Sequence, residues 1–412
     1  GSLAHPRQVS RPRASRHNVG SLACLLASLW PTETTAVPYR PKAARPMVTT
    51  FINGKFTAQQ RTGVQRYAHE MVLALDARLA EEGCADPYVL LCPPGAKPPL
   101  LRSIRVQLSR GPLIPLHVWE QIVLPFNARF VLLVNLAGSA PAMASRQVCT
   151  LHDAAVFDHP EAYSATFVAW YRWLFRHLAS QAEQLFTVSQ FSRGRLIRSL
   201  GLAASGLQVI PGAADHLDAV VADPRVLTRL GLEPGRFLLA VASNNPSKNL
   251  PRLIAAFAML KRRPGDQLVL VGASNSRVFA AHAVGIDPSG LVRAGVLEDS
   301  ELKALYRAAR ALVFPSLYEG FGLPPVEAMR NGCPVAVSAE GALPEVCGDA
   351  AYRLDAHDTL RLSLGLQQLL DDDALCDRLR ELGPAHVQNL LWQASVQALL
   401  MGLRLLARRS RS

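Results

Sequence analysis

Glu319 and Glu327 bracket the seven residues from Gly320 to Val326. The stretch reads as a strand ending at Phe314, a glycine-rich loop, and a helix opened by Pro324 and Pro325. A first turn tolerates proline because its N–H groups have no intrahelical acceptor. Gly320, Phe321, Gly322 and Leu323 are then free to turn backbone N–H groups toward an anion at the positive end of that helix. The two carboxylates, with Glu327 expected in the first turn, would repel a phosphate but are suited to accept hydrogen bonds from sugar hydroxyls on either side of it. The plainer alternative is a strand–turn–helix unit in which Glu327 only favours a helix start.

A second segment, Val241 to Leu250, carries Lys248 between a strand and a helix. There a lysine can neutralise phosphate charge that a loop backbone already favours; a solvated surface lysine is the alternative. Gly63 follows the first strand and permits close backbone approach to a ligand. His152, in Leu151-His152-Asp153, follows a later strand and falls at the same crevice, unless it is a satisfied structural histidine. His152, Asp153, Asp158 and His159 match no common metal-ligand spacing. Asp371, Asp372 and Asp373 lie between helical stretches and read as a helix cap. Neither a dinucleotide fingerprint nor a G-x-x-x-x-G-K-[ST] loop is present.

Positioning these residues requires strands that deliver them at their carboxyl ends. From Met47 onward short β-rich runs alternate with amphipathic stretches, the pattern of parallel sheets flanked by helices. Val48–Asn53, Tyr88–Cys92, Ile104–Leu108, Phe130–Val134, Val148–Leu151, Leu185–Val188 and Leu207–Ile210 are candidate strands of a first unit, with a helix at about 64–82. Phe237–Ala242, Gln267–Val271, Leu291–Ala294, Ala311–Phe314 and Val335–Val337 begin a second. The chain divides into an extension at 1–46, a first α/β domain at 47–210, a hinge and linker at 211–235, a second α/β domain at 236–385, and a C-terminal helix in 386–412 that packs back on the first domain. Ligands of such folds sit in the crevice beyond the strand ends.

Composition agrees with a two-domain enzyme: 412 residues, 49% hydrophobic, with no run long enough to span a membrane. Seven cysteines are scattered without C-x-x-C spacing, which argues against a disulfide framework and for a reducing, cytoplasmic compartment. The net charge of +12 is uneven. Residues 1–46 hold seven basic residues and one acid, 47–210 fifteen and ten, and the remainder 22 and 21. The extension, which starts Gly-Ser, reads as disordered or non-native. The basic excess is diffuse and no nucleic-acid-binding module accompanies it, so nucleic acid is not an expected partner.

Together these segments resemble the retaining glycosyltransferases of family 4, whose two Rossmann-like domains face each other across a cleft in the GT-B fold. The resemblance rests on Thr62 to Tyr67, Leu151 to Asp153, Thr187 to Ser192, Pro246 to Asn249, the E-x7-E pair Glu319 and Glu327, Gly332 to Val335, and Leu343 to Ala351. It implies transfer of a hexose or deoxyhexose from a sugar nucleotide to a glycan or lipid-diphosphate-linked acceptor in cell-surface polysaccharide synthesis, with retention and without a metal or separate cofactor. GDP-mannose is the first donor to try, with UDP-sugars as the alternative. In that frame Glu319 binds donor-sugar hydroxyls, Glu327 the ribose and Lys248 the diphosphate. Gly322 and Leu323 offer N–H groups to phosphate or sugar beside Phe321, and Gly63 approaches from the opposite domain. Val296 and Leu297 flank the base, and His152 contacts the transferred sugar. Ser243 stands where many members carry a second phosphate-binding arginine. A non-catalytic sugar-nucleotide-binding protein, an epimerase or a phosphorylase on a related fold are the competing readings.

In the first domain, Phe167, Trp170, Tyr171, Leu174 and Leu178 fall on one helical face expected to be core. Trp173, Arg172, Arg176 and His177 lie off it, where they could rest on an anionic membrane surface at the inner face of the membrane; an ordinary solvated helix is the alternative.

Overall fold

The computed structural model describes residues 49–83, 88–110, 112–243, 245–272 and 290–409. The extension at 1–46 lies outside the described residues. Among them are two all-parallel sheets. The first runs in the order β3-β2-β1-β4-β5-β6-β7, from β1 (Thr50–Asn53), β2 (Tyr88–Cys92), β3 (Arg105–Leu108), β4 (Leu132–Asn135), β5 (Gln147–Thr150), β6 (Gln184–Thr187) and β7 (Leu207–Val209). The second has the order β10-β9-β8-β11-β12-β13, from β8 (Phe237–Val241), β9 (Gln267–Val271), β10 (Leu291–Gly295), β11 (Ala311–Phe314), β12 (Val335–Ser338) and β13 (Tyr352–Leu354). The strand order reverses beside β1 in one sheet and β8 in the other, so the loops after these strands open into the crevice where α/β folds bind ligands.

Strand ends differ from the sequence pattern where the backbone forbids extension. Phe130 has φ of 68°, a left-handed conformation no strand residue adopts, and β4 therefore starts at Leu132. The helix α1 (Gly63–Glu82) buries Tyr67, Ala68, Met71, Leu75 and Leu79 on the sheet and stops at Gly83, whose φ of 58° lets its N–H reach the Leu79 carbonyl. A helical segment at 116–127, which the sequence pattern did not reveal, turns Trp119, Glu120 and Leu124 inward.

Remaining helices used below are α2 (Ala165–Gln181), α3 (Gln190–Leu200), α4 (Leu250–Ala258), α5 (Asp299–Ala308), α6 (Leu323–Arg330), α7 (Leu343–Cys347), α8 (Thr359–Asp371), α9 (Asp373–Val387) and α10 (Trp392–Arg409). Asp372 caps α9 through the Leu375 N–H. The helix α10 lies on the first domain: Gln393 donates to the Ala74 carbonyl, Ser395 to that of Pro211, and Gly402 leaves room for the Phe186 ring.

The two domains meet through loops at the strand ends. Ser189 and Ser192 both donate to the Gly320 carbonyl, and Glu345 of α7 accepts the Gln190 and Phe191 N–H groups, two first-turn donors of α3 that have no intrahelical partner. A Cβ on Gly320 would stand 2.7 Å from the His152 carbonyl oxygen, so glycine is what allows this approach.

Candidate active site

Lys248 ends a short 3-10 turn after β8, where the Asn245 side chain accepts the Ser247 N–H and fixes the turn. Its ammonium donates to Glu319 Oε1 at 2.5 Å and lies over the Phe314 ring, 5.5 Å from the centroid. Glu319 is held by its own backbone, which packs against Gly341 so closely that a Cβ there would stand 2.6 Å from the Glu319 nitrogen. The pair is neither sealed nor solvated: 21% of the Lys248 side chain and 10% of that of Glu319 are exposed. A charge pair in that condition can be exchanged for a ligand.

Beside it, α6 starts at Leu323 after Gly322, whose φ of 96° turns the chain into the helix. Pro324 and Pro325 remove two of the first-turn donors, leaving the Gly322 and Leu323 N–H groups as those nearest the loop. The Phe321 and Leu323 side chains are not open to the cleft; both are buried, with Gly212 of the linker leaving the space they fill. Only their backbones can serve a ligand.

Glu327 departs from its expected place. It sits beyond the first turn of α6, because the helix already begins at Leu323, and it is buried. Tyr306 donates to Glu327 Oε2 at 2.9 Å, and His216 Nε2 lies 3.3 Å from Oε1 without hydrogen-bond alignment. Burial disfavours the Glu327 charge, but His216, Arg66 and the Tyr306 hydroxyl outweigh it and lower its pKa. His216 is likewise disfavoured as a cation by burial, yet Glu327 and Glu70 raise its pKa. The indole N–H of Trp392 donates to His216 Nδ1, which directs the other ring nitrogen to Glu327.

Arg66, on the first turns of α1, reaches across the cleft to both oxygens of Asp299 at the start of α5, and lies 3.6 Å from Glu70. Burial opposes its charge, but these carboxylates raise its pKa. Its position three residues beyond Gly63 was a usable signal, since that spacing lies on one helix face; the partner in the other domain had none. Arg66 thus pairs with Asp299 across the cleft, with 14% and 27% of the two side chains exposed. Gly63 itself stands at the first position of α1 with open space around it, behind Thr62, whose side chain caps no N–H. Val296 is exposed and Leu297 half-buried in the turn between β10 and α5.

His152 donates from Nε2 to the Leu136 carbonyl at 2.8 Å and meets the Tyr67 ring edge-on. Burial pushes its pKa down to about 4, so the ring is neutral near pH 7. Because a carbonyl only accepts, the proton sits on Nε2, and Nδ1 is left as an acceptor. Asp153, next to it, turns one oxygen to the Ala155 N–H; burial raises its pKa, with Glu319 adding to the effect and Lys248 opposing it. Asp153 was passed over in sequence because its only visible role was as a poor metal ligand. Asp158 pairs with Arg195 and accepts from the Tyr318 hydroxyl, and among the described residues no group of three His, Cys, Asp or Glu is placed to hold a metal.

The helix α2 departs from the expected division of its faces. Leu174 and Leu178 are buried, but Phe167 and Trp170 are exposed rather than core. Arg172 donates to the Val156 and Phe157 carbonyls, and Arg176 lies over the Phe157 ring but remains exposed. Arg172 is half-buried there, where its guanidinium satisfies carbonyls of the loop at 156–157. No helix among the described residues is long and apolar enough to cross a membrane.

Two family descriptions match the chain: Glycosyltransferase Family 4 over residues 61–216 and Glycosyl transferases group 1 over 229–386. O-antigen chain mannosyltransferase B of Escherichia coli is 30% identical over 262 residues, which are 61% of this chain and 68% of that one. Serotype-specific mannosyltransferase WbdA of Escherichia coli is 29% identical over 273 residues, 62% of this chain but only 33% of that larger protein. Among solved structures, sucrose-phosphate synthase from Thermosynechococcus elongatus superposes with a TM-score of 0.67 at 22% identity, over 88% of this chain and 99% of that one. The Anabaena protein HepE in complex with UDP-glucose gives 0.66 at 19%, over 86% and 99%. At these identities the structural likeness speaks for the fold.

Proposed function

The chain belongs to the family 4 glycosyltransferases, built on the GT-B fold, and from that premise we propose that it moves a mannose-type hexose or deoxyhexose from a nucleoside-diphosphate sugar to a glycan or lipid-linked acceptor in cell-surface polysaccharide assembly, with retention of anomeric configuration. Both Escherichia coli relatives are named mannosyltransferases, which supports mannose, and the name of one refers to the O-antigen chain, which supports an acceptor of that type; GDP-mannose is the donor favoured over UDP-sugars. The observation that carries the reading is the partly exposed Lys248–Glu319 pair beside the start of α6.

When donor enters, Lys248 exchanges one anionic partner for another, the diphosphate, and Glu319 is released to accept bonds from the sugar hydroxyls. The bond between sugar C1 and the phosphate oxygen breaks, and the departing diphosphate gains negative charge. Lys248 and the Gly322 and Leu323 N–H groups neutralise that charge without a metal. The acceptor oxygen bonds to C1 on the same face through an oxocarbenium-like state, and its proton passes to the departing phosphate oxygen. His152, neutral and fixed in the Nε2–H form, accepts a hydroxyl of the transferred sugar at Nδ1. Glu327 keeps its carboxylate charged for the ribose through His216 and Arg66, while Gly63, Val296 and Leu297 border the nucleotide. A cytoplasmic setting at the inner face of the membrane is part of the proposal.

A thermal-shift panel of GDP-, UDP- and dTDP-sugars tests it, because a ligand of the native state raises its stability. Stabilisation by GDP-mannose together with slow release of GDP supports the assignment. Stabilisation by no nucleotide sugar, or conversion of donor to an isomeric nucleotide sugar, overturns it.

A further inference from the structure

Two consecutive residues of the linker hold one tryptophan. The short turn Asp215–Leu217 lies in the linker, and Trp392 opens α10, the helix that packs back on the first domain. The Asp215 carboxylate accepts the Trp392 main-chain N–H at 2.9 Å, and His216 Nδ1 accepts the indole N–H at 3.2 Å. The indole is 3% exposed and meets the Tyr67 ring edge-on, 5.6 Å between centroids, so packing also fixes its direction. The other nitrogen of the same imidazole faces Glu327: Nε2 lies 3.3 Å from Oε1, with 5% and 6% of the two side chains exposed. One histidine thereby joins a carboxylate of the second domain to a helix that lies on the first.

An indole N–H only donates, so the nitrogen it meets must be unprotonated. His216 then carries its single proton on Nε2, toward Glu327, and the ring is neutral. The charges around the ring pull the other way. Burial disfavours a cation, but Glu327 of α6 and Glu70 of α1 favour a second proton, with Arg66 of α1 opposing it. The other groups nearby have partners: Tyr306 donates to Glu327, Asp299 accepts from Arg66, His69 meets Glu70, and Asp218 pairs with Arg330. A second proton can enter only at Nδ1, where it meets the indole N–H head-on. Trp392 therefore decides between two forms of His216. In the neutral form Nε2–H is not aligned on Glu327, whose carboxylate accepts from Tyr306 through Oε2. In the charged form a buried cation ties up Oε1 with a charge-assisted bond, about twice as strong as a neutral one, which a sugar hydroxyl would have to displace.

We propose that Trp392 is a positioning residue for the donor site: its indole N–H holds His216 in the neutral Nε2–H form and so leaves the Glu327 carboxylate open to the ribose hydroxyls. This rests on the glycosyltransferase reading, in which Glu327 takes the ribose, and deepens it by making the C-terminal helix part of donor recognition.

The experiment is calorimetric titration of GDP-mannose, whose diphosphate does not titrate in this range, at about pH 8.5 and about pH 6. It compares the full-length parent, Trp392→Phe, and Trp392→Phe/His216→Gln. Phenylalanine keeps a ring against Tyr67 and removes only the donor. Trp392→Phe should bind as the parent does at the higher pH and about five-fold or more weaker than the parent at the lower, where His216 takes the second proton. The double variant should lose that pH dependence, because glutamine still offers an N–H toward Glu327 but takes no proton. A ratio of Trp392→Phe to parent affinity that is the same at both pH values overturns the proposal, since it would make Trp392 a packing residue only. So does a pH-dependent loss that persists in the double variant. Nitrogen-15 spectra of the histidine-labelled parent, with His216 assigned by its loss in His216→Gln, need no Trp392 variant to fold. They should show Nδ1 bare and Nε2 protonated near pH 7, and a doubly protonated ring there overturns the proposal. If the parent binds no nucleotide sugar while its spectra show the neutral Nε2–H ring, the glycosyltransferase reading has failed and the tautomer assignment has not, so the two failures are distinct.

Discussion

Each domain places a lysine just after its first strand and pairs it with a glutamate far along the chain. Lys55 follows β1 and meets Glu120 Oε2 at 2.6 Å; Lys248 follows β8 and meets Glu319 Oε1 at 2.5 Å. The distances are alike and the surroundings are not. The Lys55 and Glu120 side chains are only 3% and 1% exposed, and Ser139 and Asn53 complete their hydrogen bonds. Nothing can be exchanged for either partner without burying an unpaired charge. Lys248 and Glu319 keep a fifth and a tenth of their surface and stand beside a helix start with free N–H groups. The comparison teaches that pairing alone does not distinguish a charge a ligand could claim; incomplete enclosure is the condition the proposed exchange requires. The first pair holds the loop at 136–139 on which His152 rests, and the second is poised to be opened.

The largest effect expected is on transfer. Lys248→Ala should lower kcat by on the order of 10²–10³, the scale of losing a preorganised charge at a developing anion, while melting falls by less than on breaking the fully enclosed Lys55–Glu120 pair, because Glu319, though mostly buried, keeps some contact with water. Steady-state kinetics with a melting curve on one preparation reads both. Next in size, Lys55→Met leaves Glu120 buried and unpaired and should cost about 3–5 kcal/mol of stability. Lys55→Met/Glu120→Leu should regain much of that loss, and urea unfolding of both variants checks it. If the double variant is no better than the single, the buried pair is more than a packing element and the contrast weakens.

Much of this architecture was open to reading from sequence, for definite reasons. Tyr88–Cys92, Gln267–Val271 and Ala311–Phe314 are short, continuous apolar runs, as strands buried on both faces must be, and they form strands with those limits. The edge strand β13 has three residues and no pattern to find. The loop at 314–327 announced itself through glycines and prolines whose backbone consequences are local. Pairings were not legible, because Lys248 and Glu319 are 71 residues apart and Arg66 and Asp299 are 233 apart. The burial of Glu327 and the exposure of Phe167 depend on which neighbour covers a helix face, which periodicity alone does not specify.

A smaller effect is expected at Glu327. Tyr306→Phe removes one bond to its carboxylate and should cost about 1 kcal/mol of stability, with a rise of a few-fold in donor KM, measurable by unfolding and by donor titration. The smallest is a pH effect at His152. Its pKa is lowered to about 4 by burial, so the unfolded chain binds this proton more readily than the folded one between about pH 4 and the ordinary histidine value. Stability from this group therefore falls as pH drops through that window and is fully present above it. The acid limb of kcat that belongs to His152 should lie near pH 4 rather than near 6.5, and a histidine limb near 6.5 that vanishes in His152→Asn would contradict the neutral, Nε2–H assignment.

The most direct measurement is calorimetric titration of GDP into the parent protein, Lys248→Ala, and Lys55→Met/Glu120→Leu. The account predicts binding weakened by roughly ten- to a hundred-fold in Lys248→Ala, as for loss of a charge-assisted bond, and affinity equal to the parent in the Lys55→Met/Glu120→Leu protein. Equal affinity in Lys248→Ala, or loss confined to the Lys55 variant, would contradict it.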